Sequence, residues 1–178
     1  MGSLIALPLA ARPAPEALVW TWQRFAELGV DGLYDLLALR AQVFILEQGP
    51  YLDPDGLDRY SGHLLGRDGA GRLHAYLRIV DPGLKYAEPS MGRVVLAKPL
   101  RGSGLADVLV AEGLARSDAA WPSGGNRISA QAHLQRFYGR HGFVAVGEPY
   151  LEDDIPHIQM WRQPCAMGLG QDRPVDRR

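Results

Sequence analysis

Apolar and polar positions recur with two different periods along this chain, and the switches between them mark its elements. Leu18, Trp20 and Trp22 alternate with Val19, Thr21 and Gln23, which predicts a first strand. Leu33, Leu36, Leu37, Arg40 and Phe44 then fall on one helical stripe, predicting a helix from Gly32 to about Glu47 with Asp31 as its cap. Asp, Gly and Pro crowd residues 49–62, which reads as a loop. His63–Gly66 and Leu73–Val80 read as two strands joined by the turn from Arg67 to Gly71. After a second turn over 81–89, Val94, Val95 and Leu96 form a short β-branched apolar run, the mark of a buried strand. Leu105, Val108, Leu109 and Glu112 open a helix that is apolar round most of its circumference. Trp121–Asn126 is a connection and Arg127–Ala132 a fifth strand. Leu134, Phe137, Tyr138 and His141 make a short helix stopped by Gly142. Phe143–Val146 and Ile155–Trp161 close the chain as strands, giving the order β-α-β-β-β-α-β-α-β-β. Residues 1–16, rich in Ala and Pro, predict a loose arm; 17–162 form one domain without internal repeats; 163–178 read as a polar tail.

Composition narrows the function classes. A chain of 178 residues with 47% hydrophobic composition can bury a core of its own. Its net charge of −1 leaves no basic footprint for nucleic acid. A single cysteine, Cys165, rules out an internal disulfide framework and suits a reducing compartment, so a cytoplasmic location is expected. No apolar run approaches the ~20 residues of a membrane span. Residues 3–11 lack the basic segment of a signal peptide, and Ala6 breaks the myristoylation pattern.

The chemistry centres on Arg101-Gly102-Ser103-Gly104, a tight turn between a strand and a helix. That geometry aims backbone N–H groups at an anion, usually a phosphate. No Lys follows either glycine, so this is not a nucleotide P-loop, and Asp107 occupies the third glycine position of a dinucleotide fingerprint. What remains is Arg101-x-x-Gly104-x-Ala106, against the plainer reading of a glycine-rich helix entry with no ligand.

This pattern resembles the pyrophosphate loop of the GNAT N-acetyltransferase superfamily, [QR]-x-x-G-x-[GA]. The element order agrees with that superfamily, as does a helix carrying Tyr138 with Gly142-Phe143 four residues on. Arg40-x-x-Val43-Phe44-x-x-Glu47-Gln48, Tyr51-x-Asp53-x-Asp55-x-x-Asp58 and His63 resemble its ElaA-like branch. So do Gln131-Ala132-His133-Leu134-Gln135 and Ile155-Pro156-His157-Ile158, and the likeness spans residues 18–162. The resemblance implies an α+β GNAT fold, with a mixed central sheet flanked by helices. It also implies an acetyl-CoA cosubstrate held by Arg101, Gly102, Ser103, Gly104, Leu105 and Ala106, with backbone groups of Val94, Val95 and Leu96 on the pantetheine arm and acetyl group. Gln131 stands where the superfamily often has Asn, so that contact to the cofactor is not carried over.

Acetyl transfer to an amine needs a base for the ammonium, a donor for the oxyanion and an acid for the thiolate. Tyr138 is the candidate acid, against the reading of a core tyrosine with a wet hydroxyl. His157 is the candidate base, with His63, Glu47 and Glu152 as competitors. Glu47, Tyr51 and His63 are the candidate acceptor contacts. The segment from Asp53 to Asp58 fails the calcium-loop test, since Asp58 occupies the required glycine position, and no metal is expected. It reads either as an acidic rim that draws in a cationic amine or as a solvated loop with turn-capping aspartates. The expected activity is direct acetylation of a primary amine, on a small molecule or a peptide, with neither nucleic acid nor membrane as partner and a homodimer as a compatible assembly. Two alternatives stand beside it. One is a catalytically idle sensor that binds acyl-CoA. The other is an acyl-homoserine-lactone-synthase-like enzyme, which fits Arg40-x-x-Val43-Phe44 but has no need of the 101–106 loop.

Overall fold

In a computed structural model, which describes residues 18–49 and 52–164, the alternating stretch near the start forms strand β1 (Val19–Arg24). It pairs with β2 (Ser61–Arg67), β2 with β3 (Leu73–Val80) and β3 with β4 (Ser90–Leu96), in one four-stranded antiparallel sheet. A three-stranded antiparallel sheet has the order β5 (Asn126–Gln131), β7 (Ile155–Arg162), β6 (Val144–Glu152). Helix α1 (Gly29–Arg40) follows β1, α2 (Leu105–Ala120) links β4 to β5, and α3 (Gln135–Gly139) links β5 to β6. The sheet expected from the sequence is thus present as two antiparallel sheets that meet at the starts of β4 and β5. There the Arg127 N–H donates to the Pro89 carbonyl (3.0 Å), and the Met91 N–H donates to the side chain of buried Asn126 (3.1 Å). Beyond that seam no ladder joins the two strands among the described residues.

Two apolar layers cover the four-stranded sheet, because successive side chains on a strand point to opposite faces. Leu77 and Ile79 of β3 face α2 and pack with Leu105, Leu109 and Val110. Tyr76, just before Leu77, points to the other face and joins Leu36, Leu39 and Val43 on the α1 side. Gly113 sets how close α2 lies, since a Cβ there would sit 2.7 Å from a Leu77 methyl.

Some boundaries differ from those read in the sequence. Helix α1 begins at Gly29 (φ +65°), just after a 3-10 turn over Phe25–Glu27, so Asp31 lies in its first turn and Leu28 takes the cap position. After Arg40 the helix widens into a π-turn over Ala41–Ile45, where the Leu46 N–H reaches the Ala41 carbonyl at 3.1 Å. Strand β6 extends to Glu152 instead of stopping at Val146. A register shift between Val146 and Tyr150 absorbs Gly147 and Pro149, after which the hairpin continues to a tight turn at Asp153 and Asp154 (φ +51° and +59°). Among the described residues no helix is long and apolar enough to cross a membrane. The arm at 1–16, Tyr51, Cys165 and nearly all of the tail lie outside the described residues.

Candidate active site

Where β4 and β5 part, a cleft of about 330 Å³ opens, walled by Val94 of β4, Ser129 and Gln131 of β5, Tyr138 of α3 and His157 of β7. Each strand is the edge of its own sheet, so the backbone groups facing the gap join no ladder. Such groups need partners, and here the cleft is where partners can come from. Part of the divergence comes from a bulge. Tyr76 pairs with Val95 and Arg78 with Gly92, so Arg93 and Val94 together oppose Leu77. Arg93 takes φ +52°, a left-handed conformation that costs a non-glycine residue ~1 kcal/mol or more. Its side chain holds it there: Nε donates to Asp53 Oδ1 (2.8 Å), Nη2 to the Asp53 carbonyl (2.9 Å), and the guanidinium lies over the Phe44 ring at 5.7 Å.

Two of the loop's three aspartates are neither a rim for steering amines nor solvated, while exposed Asp55 caps its own turn by accepting from the Leu57 N–H (3.1 Å). Asp53 and Asp58 are 2% and 8% exposed and bind arginines from three different elements. Fully buried Arg40 reaches Asp53 and Asp58, each at 2.8 Å, and Arg78 reaches Asp58 at 2.6 Å and also pairs with Asp55. Three aspartates and three arginines (40, 78 and 93) thus form a network of zero net charge. Burial alone would raise the Asp55 and Asp58 carboxyls; their arginines more than reverse this and hold both below the usual range.

His63 belongs to this structural layer, which corrects its reading as an acceptor contact. It is 0% exposed and both ring nitrogens are engaged. Nε2–H donates to the Asp58 carbonyl (2.9 Å), so Nδ1 accepts from the Tyr76 hydroxyl (2.8 Å). Burial pushes its pKa down and keeps the ring neutral.

The loop after β4 can be tested for its fit to a pyrophosphate. Gly102 and Gly104 have φ +72° and +83°, and Gly104 is the cap of α2. A Cβ at either glycine would meet no protein atom within 4 Å, so the space beside them is open. Among the described residues the N–H groups of Gly102, Ser103 and Gly104 have no intramolecular partner. The Ser103 hydroxyl donates to the Leu100 carbonyl (2.6 Å), which fixes the turn. Left-handed glycines with free N–H groups at a helix start form an anion nest, so the loop fits the group. Leu105 is core and Ala106 packs beside it, so each can offer backbone alone. Arg101 donates to the Leu96 carbonyl (3.2 Å) and forms a two-pronged pair with Glu47 at 2.6 and 3.0 Å. Glu47 therefore sits beside the loop and not on the cleft wall. Val95 and Leu96 are buried, leaving Val94 as the member of that run that lines the cleft.

Tyr138 is 8% exposed, set edge-on to the rings of Phe137 (5.0 Å) and Phe143 (5.9 Å). Burial pushes its hydroxyl up to about 12. His157 is half-buried, and its Nδ1 lies 2.8 Å from the Ile155 carbonyl. A carbonyl can only accept, so Nδ1 carries the proton and Nε2 of the neutral ring keeps its lone pair. Beside it the Ser129 hydroxyl donates to Glu152 (2.5 Å) and accepts from the Tyr150 hydroxyl (2.6 Å). Gln131 donates across to Gln48 at 3.3 Å, tying β5 to the segment after α1. Ser129, Lys85 and Arg93 are cleft residues that sequence reading passed over. A charge inside the apolar strand run could have flagged Arg93; Lys85 lies in a turn with no local signal.

Residues 64–163 match the family model described as an acetyltransferase (GNAT) domain. The chain is 46% identical to the UPF0039 protein sll0451 of Synechocystis over 142 residues, covering 79% of this chain and 92% of that protein. Among solved structures it is similar to an acyl-CoA N-acyltransferase from Pseudomonas aeruginosa, with 47% identity, TM-score 0.78, and 82% and 99% of the two chains covered. Escherichia coli ElaA gives 39% identity, TM-score 0.77 and the same coverages. The AHL synthase LasI, at 17% identity and TM-score 0.66, shares the fold alone.

Proposed function

Because the chain belongs to the GNAT acetyltransferase family, we propose that it moves an acetyl group from acetyl-CoA to a primary amine while both are bound. The observation that carries this reading is the cleft between the diverging strands, with Tyr138 and His157 among the residues of its walls. Acetyl-CoA supplies the thioester, and its sulfur leaves as the thiolate. The remaining work falls to the chain. The N–H groups of Gly102, Ser103 and Gly104 hold the pyrophosphate charge. The open edge of β4 at Val94 offers backbone groups to the pantetheine amides and an N–H to the acyl oxygen, a contact worth ~3 kcal/mol as charge develops. His157 Nε2 takes one proton from the acceptor ammonium while its Nδ1–H stays on Ile155. After attack the adduct's cationic nitrogen loses its second proton to solvent, Tyr138 gives its hydroxyl proton to the departing sulfur and regains one from solvent, and His157 releases the proton it took. The cleft volume suits a small amine or the end of a peptide. A cytoplasmic setting fits the single cysteine.

The test is thiol release from acetyl-CoA by the purified protein across a broad amine panel. Amine-dependent release on the order of 1 s⁻¹ or faster is the expected result. Coenzyme A binding without release by any amine would reduce the protein to a binding module. Dependence on S-adenosylmethionine and an acyl carrier would move it to the lactone-synthase reading.

A further inference from the structure

The charges on the cleft wall are unequally satisfied. Arg78 and Arg93 both line it, and both are spent on aspartates: Arg78 on Asp55 and Asp58, Arg93 on Asp53 and Asp55. Lys85 also lines it, yet among the described residues its ammonium has no carboxylate within 4 Å. Its recorded contact is the Tyr86 ring, 5.6 Å from Nζ. The same ring takes Arg127 at 5.9 Å, and Arg127 is paired with Glu88 at 2.7 Å, so the turn carrying Lys85 is anchored to β5. The cleft wall also carries Glu152 and Asp153 at the end of the β6–β7 hairpin. Glu152 is fixed by Ser129, and its charge is the foremost one acting on Lys85. Among the described residues the wall therefore presents a cation without an ion pair and a fixed carboxylate that does not pair with it. His157 is on the same wall.

We propose that the acceptor is a small amine that also bears a carboxylate, held with its carboxylate on Lys85 and its amine toward Glu152 and His157. A zwitterion satisfies both ends of this arrangement at once, whereas a plain amine leaves Lys85 facing the cleft without a partner. Crowding around the Lys85 ammonium pushes its pKa down although the residue as a whole is exposed, and a bound carboxylate reverses that cost. The proposal rests on the acetyl-transfer reading for its reaction but not for its binding.

The experiment uses matched pairs: amino acids and the amines formed by removing their carboxylate. With acetyl-CoA, the parent protein is expected to favour the carboxylate-bearing member roughly ten- to a hundredfold in kcat/KM, mainly through KM. In Lys85→Met that ratio should fall to within about threefold, and Lys85→Arg should restore it. No preference in the parent, or a preference untouched by Lys85→Met, overturns the proposal. Calorimetric titration of the same pairs into the coenzyme A complex separates the two readings. Binding that depends on both the carboxylate and Lys85, without turnover, sinks acetyl transfer and keeps the subsite. Turnover with no such dependence sinks the subsite and keeps acetyl transfer.

Discussion

A tyrosine hydroxyl held near 12 is a proton donor and almost never a base at neutral pH, which defines what Tyr138 can do. Tyr138→Phe keeps the ring between Phe137 and Phe143 and removes the proton. We expect kcat to fall by roughly 10²–10⁴-fold, with coenzyme A affinity and the melting temperature nearly unchanged. Steady-state kinetics and a coenzyme A titration check this. A drop of no more than about threefold, with chemistry rate-limiting, would make Tyr138 a packing residue. Asp53 is the contrasting case, a carboxylate whose work is structural. Asp53→Asn leaves Arg40, which is 0% exposed, with one buried carboxylate fewer, and leaves Arg93 with the residue 53 carbonyl and Asp55 but without the charge of the Asp53 carboxylate. Breaking a buried pair from one side costs about 3–5 kcal/mol, to be read from urea unfolding. If stability changes by less than ~1 kcal/mol, the network is not what secures the bulge.

Among the elements, the stretch from β4 to α2 was the most legible, because its signals are local. A β-branched run, two glycines and a helical stripe follow one another within a few residues. Gly104 lies at φ +83° with open space beside it, so Gly104→Val should strain the turn and fill the nest together. The expected outcome is a folded protein whose coenzyme A affinity is lower by at least about tenfold, and unchanged affinity would remove the loop from the cofactor site. The acidic loop was illegible for the opposite reason. The partners of Asp53 and Asp58 come from α1, β3 and β4, and no local pattern joins Arg40, Arg78 and Arg93. His63 is illegible in the same way, since its partner Tyr76 belongs to the neighbouring strand. The full length of β6 is hidden because Gly147 and Pro149 look like a stop when no partner strand is in view. The Lys85 turn and the Ser129–Glu152 contact become visible only when both sheets are in place.

For the whole molecule, the buried charges fix how stability responds to acid. His63 has a lowered folded pKa, so on acidification the unfolded chain takes up this proton first. Its contribution is complete above pH ~6.5 and declines as pH falls below that value. Asp55 and Asp58 are lowered as well, so their contribution is complete above pH ~4 and is lost only below it. Melting temperature should therefore fall in two stages, and His63→Gln should flatten the upper stage while leaving the lower one. A single acid transition in the parent would show that His63 is not held neutral. The divergence of β4 and β5 acts at this scale too. A protein that leaves two strand edges unpaired beside one cleft carries an adhesive surface whenever that cleft is empty. Coenzyme A would then act as a colloidal stabiliser as well as a substrate, since whatever occupies the gap shields both edges from other chains. Light scattering of concentrated protein should decline as coenzyme A is added, and Gly104→Val protein should be slow to respond.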